Sequence, residues 1–311
     1  MQKYVIAVHG GAGTIRKGQL SAKRELGYRA GLETALKTGI ALLASGGSAL
    51  DAVQAAVVVL ENDPHFNAGR GAVLTHEGLV ELDASIMDGS SLRAGAVAAV
   101  RNLRNPVILA RAVMDQSPHV LLSGRGAEDF ARKLDLPFEP DEYFITELRR
   151  LQWEHARAEG RTELDHNSEE EKKFGTVGAV AFDVHGNLAA ATSTGGMTNK
   201  MFGRIGDSPL IGAGTYANNA TCAVSCTGHG EFFIRGVVAY DVSCLMEYKG
   251  LSLQQACEEV VMNKLLPLGG EGGLIAVDTR GNCSLSFNSE GMYRGRADHT
   301  GIIETAIYKV S

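Results

Sequence analysis

The stretch "EEEKKFGTVGAVAFDVHGNLAAATSTGGMTNK", residues 169–200, changes character in its middle. A run of charge, Glu169 to Lys173, gives way from Thr176 onward to an apolar, β-branched, glycine-spaced sequence. The apolar part runs into Asp183-Val184-His185-Gly186-Asn187 and then resumes, which predicts a hairpin. A polar segment that ends on Gly175-Thr176 and turns at once into a buried strand raises a question. An ordinary loop does not call for this pair at the join.

Working outward, "GLIAVDTRGNCSLSFNS" at 273–289 repeats the design, with the same D-x-x-G-N turn at Asp278–Asn282. Two helices are predicted between the hairpins, at 231–248 and 253–266, the second capped by Ser252 with Gln255. In the first half a strand is predicted at Lys3–Val8, followed by a helix at Ala22–Ala44 that Gly46-Gly47 stops. Ser48 starts a second helix, with Asp51 three residues on, and "AVQAAVVVLE" is apolar nearly all round, as a buried helix is. Strands are predicted in "GLVELDASIMDG" and "RAGAVAAVRNL", and a helix at 127–134. "RRLQWEHARAEGRTELDHNSEEEKK" has helical spacing first and then no apolar stripe, the composition of a disordered linker. Strands and helices come in blocks, which favours an α+β layered architecture with antiparallel or mixed sheets. Strands on either side of the charged segment can share one core.

The 311 residues carry a net charge of −6 and no basic patch, so nucleic acid is not an expected partner. The apolar run Tyr4–Val8 is too short for a signal peptide core, and no window approaches 18 apolar residues. Cys222, Cys226, Cys244, Cys257 and Cys283 are odd in number and form no C-x-x-C pair. The expectation is a cytoplasmic protein with reduced thiols and no membrane span.

Several constellations bear chemistry. "HGGAG", His9 to Gly13, follows the first strand. It completes neither G-x-G-x-x-G nor a P-loop, and without a G-x-S-x-G elbow it is not the oxyanion turn of an α/β-hydrolase. A tight turn with close backbones is the plain alternative. "LENDPHFNAGRGAVL", 60–74, reads either as a helix-ending turn or as a loop whose carbonyls hold a cation and whose Asn67 points at a site. Thr176, Thr192, Thr194 and Thr227 gather at strand ends. Gly228 and Gly230 flank His229 before a helix, where free backbone N–H groups suit an oxyanion. In "GRIGDSP", Arg204 and Asp207 are either a surface ion pair or a grip for both ends of a zwitterion.

"GTVGAVAFDVHGNLAAATSTGGMTNK", "GRIGDSPLIGAGTYANN" and "SCTGHGE" resemble the β-subunit of the isoaspartyl peptidase/plant-type asparaginase family of N-terminal-nucleophile hydrolases. "HGGAG", "LENDPHFNAGRGAVL" and "ELDASIMDG" resemble its α-subunit. The resemblance implies an αββα sandwich and self-cleavage between Gly175 and Thr176. One domain of 1–311 then becomes an α chain of 1–175, with a flexible charged tail at about 155–175, and a β chain of 176–311. It implies Thr176 as nucleophile and base, tuned by Thr194, and an oxyanion hole from Thr227 and Gly228. Arg204 and Asp207 take the substrate's α-carboxylate and α-ammonium, Gly230 helps anchor the amine end, and Asn67 approaches the reacting group. A sodium ion is implied on the backbone carbonyls of Leu60, Glu61, Asp63, Phe66, Ala68 and Arg70, with no cofactor for the chemistry. The implied substrates are L-asparagine and β-aspartyl dipeptides, and the implied assembly is a dimer of αβ heterodimers. His229 receives no role. A glycosylasparaginase-type amidase and an inactive binding protein of the same fold are the alternatives. Those amidases are typically exported and disulfide-stapled, unlike this chain, and the intact Thr176, Thr194, Arg204, Asp207 and Thr227 speak against lost activity.

Overall fold

The structure, a computed structural model, describes residues 3–160, the backbone of 172–173, and residues 175–309. Strand β1 (Val5–Thr14) leads into helices α1 (Ala22–Ala44) and α2 (Ala49–Asn62). Then come β2 (Leu82–Asp88), β3 (Ala94–Val100), α3 (Pro106–Gln116), β4 (Leu121–Ser123), α4 (Gly124–Lys133), α5 (Asp141–Phe144) and α6 (Glu147–Ala158). The short β5 (Lys172–Lys173) precedes β6 (Val177–Phe182), β7 (Leu188–Thr194), β8 (Thr215–Ala217) and β9 (Cys222–Gly228). Helices α7 (Gly230–Gly236), α8 (Val238–Lys249) and α9 (Leu253–Glu258) follow, α9 running on as a π-helical turn, Glu259–Leu265. Strands β10 (Gly272–Asp278), β11 (Cys283–Phe287), β12 (Gly291–Asp298) and β13 (Ile303–Tyr308) close the chain.

These elements form four layers. The larger sheet has the order β13-β12-β1-β6-β7-β2-β3-β4, with β5 against the end of β1. The smaller is β11-β10-β9-β8. The alternation of each strand divides its side chains between two faces. Ile6, Val8, Ala179 and Ala191 face α1 and α2 in the first core, while Ala7, Val180, Ala190, Ala223 and Ile275 fill the space between the sheets. Val224, Cys226 and Leu274 meet α8 and α9 in a third core with Val242 and Val260. This is the α+β, αββα sandwich.

Both D-x-x-G-N segments form the same turn. The carboxylate Oδ1 of Asp183 accepts from the N–H groups of His185 and Asn187, each at 2.9 Å. Asp278 does the same for Arg280 and Asn282, each at 2.9 Å. The Ser48 cap of α2 holds the Asp51 N–H at 3.1 Å, and Ser252 with Gln255 forms a full capping box on α9.

Four expectations need correction. "HGGAG" is not a turn: β1 continues through it to Thr14, with a bulge between His9 and Ala12 where β12 pairs. The predicted helix 231–248 is two helices, broken at Val237, whose φ of 48° ends α7. The predicted helix 127–134 begins earlier, at Gly124. The expected tail from 155 starts inside α6, which persists to Ala158, and most of its remainder, 161–171 and 174, lies outside the described residues.

Strands from both sides of the charged segment interleave. β6 and β7 sit between β1 and β2, and β12 pairs β1 on its other edge. The peptide joining 175 to 176 is therefore not needed to hold the two halves in one sheet. Among the described residues, no helix is long and apolar enough to cross a membrane.

Candidate active site

Thr176 stands one residue before β6 and is nearly buried. Its Oγ1 donates to Thr194 Oγ1 at 3.1 Å, and Thr194 Oγ1 also accepts from the Gly196 N–H at 3.0 Å. Adjacent antiparallel strands create this pairing: Val177 lies opposite Ser193, so the residues beyond each meet at the sheet end. The Gly175 carbonyl accepts from the Asn67 main-chain N–H at 3.1 Å.

A narrow cleft opens here, walled by Gly175, Thr176, Thr194, Gly196, Arg204 and Asp207 among others, with Gly228 at its side. Its free volume is about 20 Å³, room for roughly one water. Among the buried polar atoms that find no hydrogen-bond partner among the described residues are Asp207 Oδ2, Ser208 Oγ and Thr227 Oγ1. Buried polar atoms left unpaired are costly unless something binds them.

Arg204 and Asp207 do not pair with each other. Arg204 uses Nε and Nη2 to grip both oxygens of Glu231, each at 2.9 Å. That leaves its Nη1 end toward Gly206. His229 Nε2 lies 3.3 Å from the same Glu231 Oε2, and burial holds His229 below the usual imidazole range. Burial pushes the Asp207 carboxyl up to about 7, against the pull of Arg204. A Cβ on Gly230 would lie 2.8 Å from both Arg204 Nη2 and Asp207 Oδ1, so the bare glycine lets both residues close on one spot. The arrangement brings the Arg204 edge that Glu231 leaves free and the buried Asp207 carboxyl to one spot, groups of the kind that bind a carboxylate and an ammonium.

The sequence reading brought Asn67 toward the reacting group; its main-chain N–H bonds the Gly175 carbonyl, while its side chain turns elsewhere. Its amide is spent on the Gly196 carbonyl at 2.8 Å and the Val73 N–H at 2.9 Å. The loop at 60–70 is closely wound: a Cβ on Gly69 would sit 2.5 Å from the Glu61 carbonyl oxygen and one on Gly71 2.9 Å from that of Phe66, and the carbonyls of Leu60, Glu61 and Asp63 accept from the N–H groups of Asp63, Arg70 and Phe66. The Glu61 carboxylate is committed to the Val107 N–H and Asn105 Nδ2, both at 3.0 Å, and Asp63 to His65. Burial raises Glu61 to about 7. The Arg70 guanidinium stacks over Tyr143, 5.7 Å from the ring centre. What this loop offers a cation is carbonyl oxygen, the donor set of a hard ion.

His9 and Glu231 went unassigned in the sequence. Both lie in quoted motifs, "HGGAG" and "SCTGHGE", but nothing local in either signals a partner far along the chain.

Residues 2–307 match the asparaginase family, and the chain belongs to it. It is 57% identical over 312 residues to an isoaspartyl peptidase of Escherichia coli (strain K12), covering 99% of this chain and 97% of the relative. It is also 47% identical over 288 residues to the isoaspartyl peptidase/L-asparaginase of Mus musculus, covering 93% and 86%. A probable isoaspartyl peptidase/L-asparaginase 2 of Arabidopsis thaliana matches at 45% over 330 residues, covering 99% and 100%.

Proposed function

We propose that the chain cuts itself between Gly175 and Thr176 and then hydrolyses the side-chain amide of L-asparagine and β-aspartyl dipeptides. The observation that carries this reading is the Thr176–Thr194 hydroxyl pair at 3.1 Å, facing Arg204 and Asp207 across one cleft. The names of the relatives supply the substrate class.

A hydroxyl is a weak nucleophile at neutral pH and needs a base. Cutting at Gly175 gives Thr176 an α-amine, with a pKa of about 7.7–8.0 in model compounds. That amine takes the Oγ1 proton, directly or through water, so nucleophile and base belong to one residue. Gly175 is part of the cleft wall in the intact chain, and its departure widens the cleft. Arg204 and Asp207 hold the amino-acid head, so the amide carbonyl reaches Thr176. Thr227 Oγ1 and the Gly228 N–H meet the oxyanion, ammonia or a peptide amine leaves, and water hydrolyses the β-aspartyl ester. Gly230 closes the amine end.

The interleaved strands support a stable pair of chains, 1–175 and 176–311. A dimer of such pairs is supported by exposed Val237, Tyr240, Met262, Leu266 and Leu268, on α8 and the π-helical turn and in the residues beside them. A sodium ion on the carbonyls of loop 60–70 would brace Asn67 without entering the chemistry. Reduced cysteines, all five free, fit a cytoplasmic setting. The test is a denaturing gel beside an assay on β-aspartyl-leucine and asparagine: two bands with hydrolysis of both support the reading, and one intact band without hydrolysis rejects it.

A further inference from the structure

Behind Thr176 lies a row of polar side chains that the proposed chemistry does not use. His9 is wholly buried. Its Nδ1 is 3.0 Å from the Thr176 carbonyl oxygen and its Nε2 2.9 Å from Ser225 Oγ. The contacts continue from Ser225 Oγ to Thr192 Oγ1 at 2.6 Å, to Thr215 Oγ1 at 2.5 Å and to Ser85 Oγ at 2.7 Å. Ser85 also reaches the Ser208 carbonyl at 2.6 Å. All these hydroxyls are buried, and Ser208 follows Asp207 directly. The row thus runs beneath the cleft, from the loop of the substrate head to the backbone of Thr176.

Its hydrogens have one consistent direction. A carbonyl oxygen only accepts, so Nδ1 carries a hydrogen. Burial pushes the imidazole down to about 3, and no carboxylate among the described residues bonds it, so the ring is neutral. Nε2 therefore accepts, and Ser225 donates to it. Each hydroxyl has a single hydrogen. With that of Ser225 spent, Thr192 donates to Ser225 at 2.6 Å, with the Gly214 carbonyl a longer second acceptor at 3.3 Å, Thr215 donates to Thr192, and Ser85 shares its hydrogen between Thr215 and Ser208. Aligned bonds of this kind polarise one another. Gly178 adds an independent observation: a Cβ there would lie 2.0 Å from Ser225 Oγ and 2.5 Å from His9 Nε2. The strand has given up a side chain where the His9–Ser225 bond passes.

We infer that His9 is a positioning residue for Thr176. The hydroxyl row locks its imidazole into the tautomer that donates Nδ1–H to the Thr176 carbonyl, which fixes the backbone carrying Oγ1. His9 touches no substrate group, so its loss falls on kcat and on self-cleavage rather than on KM. The inference rests on Thr176 being the nucleophile.

The test compares His9→Asn, His9→Gln, Ser225→Ala and Thr176→Ala in the full chain, with kcat and KM on β-aspartyl-leucine per cleaved site, and thermal melting. An asparagine amide can stand where Nδ1 stood, whereas a glutamine amide stands at Nε2. His9→Asn should stay within about threefold of wild-type kcat, and His9→Gln and Ser225→Ala should lose about tenfold or more at nearly constant KM. Packing alone predicts the reverse order, because glutamine fills more of the space; equal or greater loss in His9→Asn overturns the inference. In the unaltered protein, nitrogen-15 NMR should show one protonated His9 nitrogen, Nδ1; a protonated Nε2 also overturns it. Thr176→Ala with retained activity would reject the nucleophile itself. A dead Thr176→Ala beside unaffected His9→Gln and Ser225→Ala would reject only the role of His9.

Discussion

The main-chain N–H of Asn67 donates to the carbonyl oxygen of Gly175 at 3.1 Å, while the Asn67 side chain ties the Gly196 carbonyl to the Val73 N–H. The residue is a clamp, and its grip on Gly175 depends on side-chain bonds made elsewhere. Asn67→Ala leaves the buried Val73 N–H unpaired, a cost of about 1–3 kcal/mol, and strips the part-buried Gly196 carbonyl of its donor. It should lower the melting temperature and slow self-cleavage together. A time course of band splitting on a gel checks this, and an unchanged rate with a lowered melting temperature would separate the clamp from the cut.

Arg204→Lys should be far from conservative. The guanidinium holds Glu231 with one edge and presents Nη1 with the other, which an ammonium cannot do at once. The expected loss is on the order of 2 kcal/mol, about thirtyfold in kcat/KM for β-aspartyl-leucine. Near-normal hydrolysis would place Arg204 outside substrate binding.

Asp207 gives a pH dependence with a definite sign. It takes an ammonium only when ionised, and burial raises its carboxyl to about 7. In the free enzyme kcat/KM should therefore rise with pH through about 7. Stability runs the other way. The folded chain binds this proton more tightly than the unfolded chain, so the contribution is full below the ordinary value of 3.8 and is lost as pH rises to about 7. Asp207→Asn should be inactive yet melt higher than wild type at pH 8, with the gap closing toward pH 4. A lower melting temperature at pH 8 would contradict this.

Much of the architecture was legible because it is local. The two D-x-x-G-N turns and the serine caps at Ser48 and Ser252 are chemistry within five residues. What the sequence hid is non-local. β1 lies between β6 and β12, more than 160 and 270 residues away, and no pattern in "VIAVHGGAGT" names either neighbour. The bulge that carries β1 past Gly10 and Gly11 depends on β12, so the glycines read as a turn. Val237 breaks a helix in a backbone state that a valine rarely adopts. In the site, the threonines and the Arg204–Asp207 spacing were visible, and the resemblance gave them roles. The engagement of Arg204 by Glu231 was not visible, because it joins residues 27 apart.

The sodium reading is tested by melting in sodium, potassium and a large organic cation at fixed ionic strength. An ion that binds only the folded state stabilises it by mass action. Sodium should give the highest melting temperature. EDTA should change nothing, since it does not hold sodium. Identical melting in all three salts would remove the ion, leaving a loop held by Pro64 and packing.

Self-cleavage is the central claim, because it alone turns Thr176 into a residue with its own base. Thr176→Ala should remain one chain, and Thr176→Ser or Thr176→Cys should cut more slowly, since each keeps a nucleophilic atom. The most direct measurement is intact mass with N-terminal sequencing of the purified, active wild-type protein. The account predicts two chains, the second beginning Thr-Val-Gly at residue 176. A full-length, uncut chain that hydrolyses β-aspartyl-leucine at an undiminished rate would contradict it.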